Sequence, residues 1–465
     1  MADVILDTEN RQTNVKQIPM KHIFGYSLGA LSYYTLFMTT TTYLMYFYTD
    51  VVGISAAAAG TIFLFARLVD AISDPVVGTI ADRTNTKHGR YRPYILWGTI
   101  PLVVTGVLCF TSPGISESGN VIYAAITYIL FGMMYSFVNV PHMSMEASIT
   151  YDPDERSKVI SVKLIFQLFG ALIASTLTMP LVRMFTNEEI GFLITMVLFG
   201  IVCAILLFIT FRTTKPYAWY EGLVNKNKKR GSILKRWGVV GKNDKLRFLI
   251  MMLFVSSIVQ ALVQPVGIYY MTYNVGRADL TSLYMLNMMG ATIVGAFLVP
   301  FMSKFMEKKA ILIFGLSLGA VCNATFFFVP YGSLMLIFIT RFLAGIGQGV
   351  ITVLVFSMIA DCVDYGEWKH GFRAQGMTFA TSAFFHKSGN AIGGWLIGIV
   401  LMFIGYIPNQ AQTPFVLDGI LWLLSIIPAA LLIISIIFVL PFHLTKSDLY
   451  RIRADLDNAS VRNND

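Results

Sequence analysis

ARLVDAISDPVVGTIADRTNTKHGRYRP, residues 66–93, begins inside an apolar stretch and ends in a basic loop. Asp70 and Asp74 stand four apart, so a helix carries both on one face. Charge is costly in hydrocarbon, and ionisable groups within a spanning helix mark function by default. Arg67, one turn before Asp70, offers a plainer reading, a buried ion pair that holds helices together. One arginine does not balance two aspartates, whereas a cation from solution does. The stretch points to a membrane transporter whose carboxylates hold a coupling cation.

The composition agrees. Of 465 residues, 55% are hydrophobic and 13% charged, with a mean hydropathy of +0.65. An ordinary soluble protein is about 25% charged. Too few polar residues remain to cover a water-facing surface, so the chain reads as an all-α integral membrane protein. Its net charge of +9 suggests no nucleic acid, because positive charge collects in the cytoplasmic loops of membrane proteins. Cys109, Cys203, Cys322 and Cys362 are far apart and form neither a disulfide framework nor a zinc motif. The polar N-terminus lacks the pattern of a cleaved signal peptide.

On a ruler of roughly 20 apolar residues per span, twelve spans are expected, at 22–48, 57–80, 94–111, 121–146, 160–184, 190–212, 247–272, 279–303, 309–329, 333–360, 374–405 and 414–441. Of the 35 Lys and Arg, 29 fall in the two termini and the alternate loops 81–93, 147–159, 212–247, 302–310 and 361–373. The loops between hold only Arg183 and Arg277, and Arg67, Lys163, Arg341 and Lys387 sit within spans. This alternation places both termini in the cytoplasm. The expected organisation is a tail at 1–21, a six-helix bundle at 22–212, a basic linker at 213–246, a second six-helix bundle at 247–441 and a tail at 442–465. The linker sets topology, or it binds anionic lipid or a regulatory protein.

Twelve helices in two halves is the architecture of the major facilitator superfamily, with its substrate site at the midplane between halves. The loop after the second span resembles that superfamily's signature, with Gly78, Asp82, Arg83, Gly89 and Arg90. Five stretches together resemble the glycoside–pentoside–hexuronide:cation symporters, which include the melibiose and glucuronide carriers. They are MYFYTDVVGIS (45–55), ARLVDAISDPVVG (66–78), KHGRYRPYILWGT (87–99), ADCVDYGEWKHGFRAQG (360–376) and IGYIPNQAQT (404–413). The likeness runs from Tyr26 to about Leu449.

The resemblance implies cation-coupled symport by alternating access. Asp70 and Asp74 would ligate Na⁺ or take up a proton in its place, with Ser73 and Ser136 as neutral oxygens. Lys387 matches the family's essential lysine, placed to neutralise the acids when the cation leaves. Where the melibiose carrier grips its sugar, this chain differs. Tyr34, beside Tyr33, replaces one aspartate and Asn139 the other, while Met143 and Thr352 stand where that carrier has tryptophans. Asn139 and Lys163 match the glucuronide branch instead. His142, Gln167, Ser382 and His386 complete the candidate substrate-facing set. Two fewer acids and a retained Lys163 favour a carboxylate- or sulfonate-bearing sugar, with a neutral pentoside or hexoside as the alternative.

His142 and Glu146 stand four apart, as a proton-responsive pair or, with Arg156, an end-of-helix salt bridge. By resemblance, Asp82, Arg83, Arg90, Asp361, Asp364, Glu367 and Arg373 form a cytoplasmic gate. A sodium-coupled lysolipid transporter is the more distant alternative. No P-loop, Cys/His metal cluster or nucleophile elbow occurs, so the chain is not expected to be an enzyme and needs no cofactor beyond the coupling cation. The expected partners are a small sugar and the bilayer, with no nucleic acid and a monomeric chain. Its expected place is a bacterial inner membrane.

Overall fold

The computed structural model describes residues 18–84, 86–149, 153–217, 241, 243–371, 375–445, 447–452 and 455–456. The apolar runs become helices, and polar residues mark where several begin. Ser55, Ser116, Asn187 and Asn243 each accept a backbone N–H of the turn that follows, which satisfies donors a helix start leaves open. The helices are α1 (Met20–Tyr46), α2 (Ala56–Arg83), α3 (Arg92–Leu108), α4 (Glu117–Ser144), α5 (Pro153–Val182) and α6 (Glu188–Thr213) in the first half. The second half holds α7 (Asp244–Tyr269), α8 (Thr281–Met302), α9 (Lys308–Phe326), α10 (Leu334–His370), α11 (Gln375–Phe403), α12 (Pro414–Leu424) and α13 (Ile426–Val439). The four cysteines are buried and unpaired.

Among the described residues, nine helical segments are long and apolar enough to cross a membrane, and α3 is a shorter apolar helix. α1 and α11 fall outside that set, and each carries a cluster of polar residues along its apolar length. α1 carries Thr35 and Thr39–Thr42, and α11 carries His386, Lys387 and Asn390. The α1 hydroxyls bond back to their own helix, as in Thr39 to the Thr35 carbonyl at 2.9 Å and Thr41 to that of Phe37 at 2.9 Å. A polar helix is thereby tolerated in an apolar setting.

The fifth helix begins at Pro153, within the stretch expected as loop, and two later spans also differ from expectation. The tenth span continues through ADCVDYGEWKH to His370, where loop was expected, and stops at Gly371 with φ +68°. No proline interrupts that stretch, so the helix ends where a left-handed glycine can cap it. The last span breaks at Ser425 (φ −120°, ψ −81°), which separates α12 from α13.

Packing groups the helices by half. α1 lies on α5 and α6, and α4 on α2 and α3; α10 lies on α8 and α9, and α7 on α11 and α13. The halves meet chiefly through α2 on α11 and α5 on α8, two contacts related by exchange of the halves. At the end opposite the basic loops, called the far end below, α2 and α11 touch backbone to backbone. A Cβ on Gly60 would lie 3.0 Å from Gly398 Cα, and one on Gly398 would lie 2.2 Å from the Ala56 carbonyl oxygen. α1 and α7 end alike there, in π turns at Phe47–Val51 and Tyr270–Asn274, followed by Gly53 (φ +81°) and Gly276 (φ +69°).

Candidate cation and substrate site

Asp70, Ser73 and Asp74 lie on the side of α2 that meets α4 and α11. Arg67 Nη1 is 3.3 Å from Asp70 Oδ2, and its Nη2 donates to Thr41 Oγ1 at 3.0 Å. The other oxygen, Asp70 Oδ1, is buried without a hydrogen-bond partner among the described residues. It rests against Gly132 so closely that a Cβ there would lie 1.9 Å away. Ser136 Oγ donates to Asp74 Oδ1 at 2.5 Å, and Ser73 Oγ lies 3.1 Å from Ser136 Oγ. Lys387 reaches across from α11 to pair with Asp74, and its ammonium is 3.5 Å from the Asp70 carbonyl oxygen. Two carboxylates thus face two fixed cations. Oxygen donors from two helices converge where a hard cation, which prefers oxygen ligands, can take the lysine's place. No group of three His, Cys, Asp or Glu side chains suited to a resident metal occurs among the described residues.

The substrate-facing candidates divide. Tyr34 is half-buried, stacked 5.8 Å from Phe37, which stacks on Tyr135 at 4.4 Å. Successive helix residues point about 100° apart, so Tyr33 faces inward instead. It is fully buried, with its hydroxyl 3.3 Å from His142 Nδ1. His142 is also fully buried, stacked on Tyr26 at 4.2 Å and 3.0 Å from the Tyr26 carbonyl oxygen. Tyr33 and His142 therefore pack within the first half rather than facing a ligand.

Lys163, expected to meet the substrate, is ion-paired with Glu146 and 3% exposed. Glu146 also accepts from Tyr26 Oη at 3.3 Å; the Arg156 side chain lies outside the described residues. Asn139 and Gln167 are half-buried, and Asn139 Oδ1 lacks a partner among the described residues. Met143 is exposed. Thr352 and His386 line a small cavity with Gln260 and Gln348, where His386 Nε2 is 3.3 Å from Gln260 Oε1. Ser382 is buried and bonds back to the Thr378 carbonyl at 2.9 Å.

The profile of the family described as MFS/sugar transport protein matches residues 25–446. The chain belongs to this family. It is 33% identical to the isoprimeverose transporter of Lactiplantibacillus pentosus, over 87% of this chain and 84% of that one. It is 31% identical to the glucuronide carrier protein homolog of Escherichia coli K12, over 95% and 96%. The structure of a bacterial homologue of the human lysosomal transporter Spinster, inward-facing and unoccupied, superposes with a TM-score of 0.67 at 14% identity, covering 95% of this chain and 99% of that one. That likeness shows the fold, a helical major facilitator architecture. As a member of the MFS sugar transport family, within the glycoside–pentoside–hexuronide:cation symporters, the chain is a multi-pass membrane transporter and not an enzyme.

In this sugar transporter the far end carries a second carboxylate junction that sequence reading missed. Asp50 accepts from Thr49 Oγ1 at 2.6 Å and Tyr406 Oη at 2.6 Å, and also from Tyr273. Asn409 Nδ2 donates to the Asp50 carbonyl at 2.6 Å. Four groups from both halves thus close on one residue. The signal was present as a repeat, FYTDVVG (47–53) against YMTYNVG (270–276), with Asp50 and Tyr273 at equivalent places.

Near the basic loops, Asp361 is buried and pairs with Lys308 at 2.5 Å, within the second half. Arg83 is exposed, and Arg90, Asp364 and Glu367 are half-buried with partners of their own. The Asp82 side chain and Arg373 lie outside the described residues, as does most of the basic linker.

Proposed function

We propose that the protein carries an anionic glycoside inward together with Na⁺ or H⁺, by alternating access of two six-helix bundles with twelve spans and cytoplasmic termini. The observation that carries this reading is Lys387, held by Asp74 across the boundary between the halves, with Ser73, Ser136 and the unpartnered Asp70 Oδ1 around it. An empty carrier keeps its carboxylates neutralised by Lys387 and Arg67. A bound cation frees the lysine, and the tie between the halves changes with it. Reciprocity then requires that sugar and cation tighten each other's binding. The polar cavity at Thr352, His386, Gln260 and Gln348 supports a sugar site on the second half. The closed far end supports an inward-facing state.

The test is calorimetry on purified protein with a β-glucuronide, a galacturonide, a sulfo-sugar, a xyloside and an α-galactoside, with and without sodium and at two pH values. Binding of an acidic sugar, tightened by sodium or by lowered pH, is the expected result. A preference for neutral glycosides defeats the anionic part, and binding of a lysolipid with no sugar defeats the whole.

A further inference from the structure

Arg341 lies in the third turn of α10 and is 1% exposed. Its Nη1 donates to Asn323 Oδ1 at 3.1 Å and to the Leu424 carbonyl at 3.3 Å, the latter beside the break at Ser425. Its guanidinium sits 3.6 Å from the Phe326 ring centroid. Nε and Nη2 have no hydrogen-bond partner among the described residues. The titratable groups that act on its charge are Tyr284, Tyr270 and Cys322, none an acid, with the Tyr284 hydroxyl beside the guanidinium. Lys387 and Lys163 have carboxylates; Arg341 has an aromatic face and two amide-type acceptors. A ring face attracts a cation but supplies no counter-charge, and a charge buried in a spanning bundle is paired as a rule.

The guanidinium lines a cavity of about 70 Å³, with Gln260, Gln348, Asn323 and Thr292 among its walls. Most of its wall is apolar, so the guanidinium, the side-chain amides and the Thr292 hydroxyl are the polar groups that face it. Gln260 and Gln348 also line the adjoining cavity beside Thr352 and His386. The two spaces share these walls, so a ring held between Thr352 and His386 would direct a substituent toward the guanidinium. We propose that Arg341 and its cavity form a binding site for a compact monovalent anion, supplied as the carboxylate or sulfonate of the carried glycoside or as a free halide. The first source rests on the transport reading above, and the second does not.

The test uses the full chain in detergent, with phenyl β-glucuronide and phenyl β-glucoside as matched probes, in sodium chloride and in sodium sulfate. Retention of a charge-assisted bidentate contact is worth roughly tenfold or more in affinity. If the sugar supplies the anion, the wild type prefers the glucuronide by that factor and Arg341→Gln erases the preference while still binding the glucoside. If a halide supplies it, chloride tightens glucoside binding several-fold, and Arg341→Gln removes the chloride effect. Where Arg341→Gln does not fold, Gln348→Leu, which leaves the Asn323 and Leu424 bonds intact, is expected to weaken the same preference. If no glycoside binds, the transport reading fails by itself. The halide arm is then read from thermal unfolding, with a midpoint that rises with chloride against sulfate in the wild type and less in Gln348→Leu. An unchanged glucuronide preference and chloride response in Arg341→Gln overturn the site. So does a wild type with neither effect.

Discussion

Asp74 and Asp50 both tie the first half to the second through a carboxylate, yet they are met by different chemistry. Asp74, in mid-helix, faces a lysine from α11. Asp50, at the far end, faces the hydroxyls of Tyr273 and Tyr406, while the Asn409 amide holds its backbone carbonyl. An ammonium group is a point charge that another cation can displace. Hydroxyls and an amide are neutral donors that hold by directed hydrogen bonds. On the transport mechanism proposed above, the first junction responds to the ion and the second to whether the far end is shut. The ion pair of Lys163 with Glu146 supplies the control, since it has the chemistry of the first junction but lies within one half.

The largest expected effect falls on the ion-reading junction. Asp70→Asn and Asp74→Asn should each abolish the sodium enhancement of sugar binding, measured by calorimetry; survival of the enhancement in either would remove that carboxylate from the site. Next in size is the control pair. Lys163→Met leaves Glu146 unpaired and should cost about 3–5 kcal/mol of stability, with much of it restored by adding Glu146→Gln. If Lys163→Met instead spares stability and weakens sugar binding, the lysine belongs to the substrate after all. Gly132→Ala drives a methyl group into Asp70 Oδ1 and should weaken sodium binding roughly tenfold or more, the scale of a lost contact to a charged group. Sugar binding without sodium should hardly change, and an unaltered sodium titration would show that Asp70 can move aside. Smallest is Tyr406→Phe, which removes one donor to Asp50 at about 1–3 kcal/mol. Spin labels at Gln410→Cys and Ile115→Cys should then report a larger open fraction at the far end, and identical distance distributions would mean that the hydroxyl plays no part in closure.

The order of helices was legible because hydrophobic runs and loop charge report one residue at a time. Asp70, Asp74, Ser73, Ser136 and Lys387 were legible as a set because helical spacing places the first three together and the family pattern supplies the rest. The misplacements share one cause, that sequence gives position along a helix but not the partner across it. Tyr33 and Tyr34 are neighbours in the chain, and only Tyr34 is left partly open. Lys163 reads as a free cation until Glu146, 17 residues away, is found beside it. Arg341 had no account from sequence, because its partners Asn323 and Leu424 lie 18 and 83 residues off. Asp50 lay inside a quoted motif, but its meaning depends on Tyr406 and Asn409 from the far side of the chain.

The backbone contact between Gly60 and Gly398 has a practical side. With a Cβ on residue 398 falling 2.2 Å from the Ala56 carbonyl oxygen, the shut far end has no room for one methyl group. Gly398→Ala would act as a doorstop, tolerated only when the far end swings apart. Such a variant is a reagent as much as a mutant. It would hold the carrier in the opposite posture without ligand or cross-link, ready for raising conformation-selective binders.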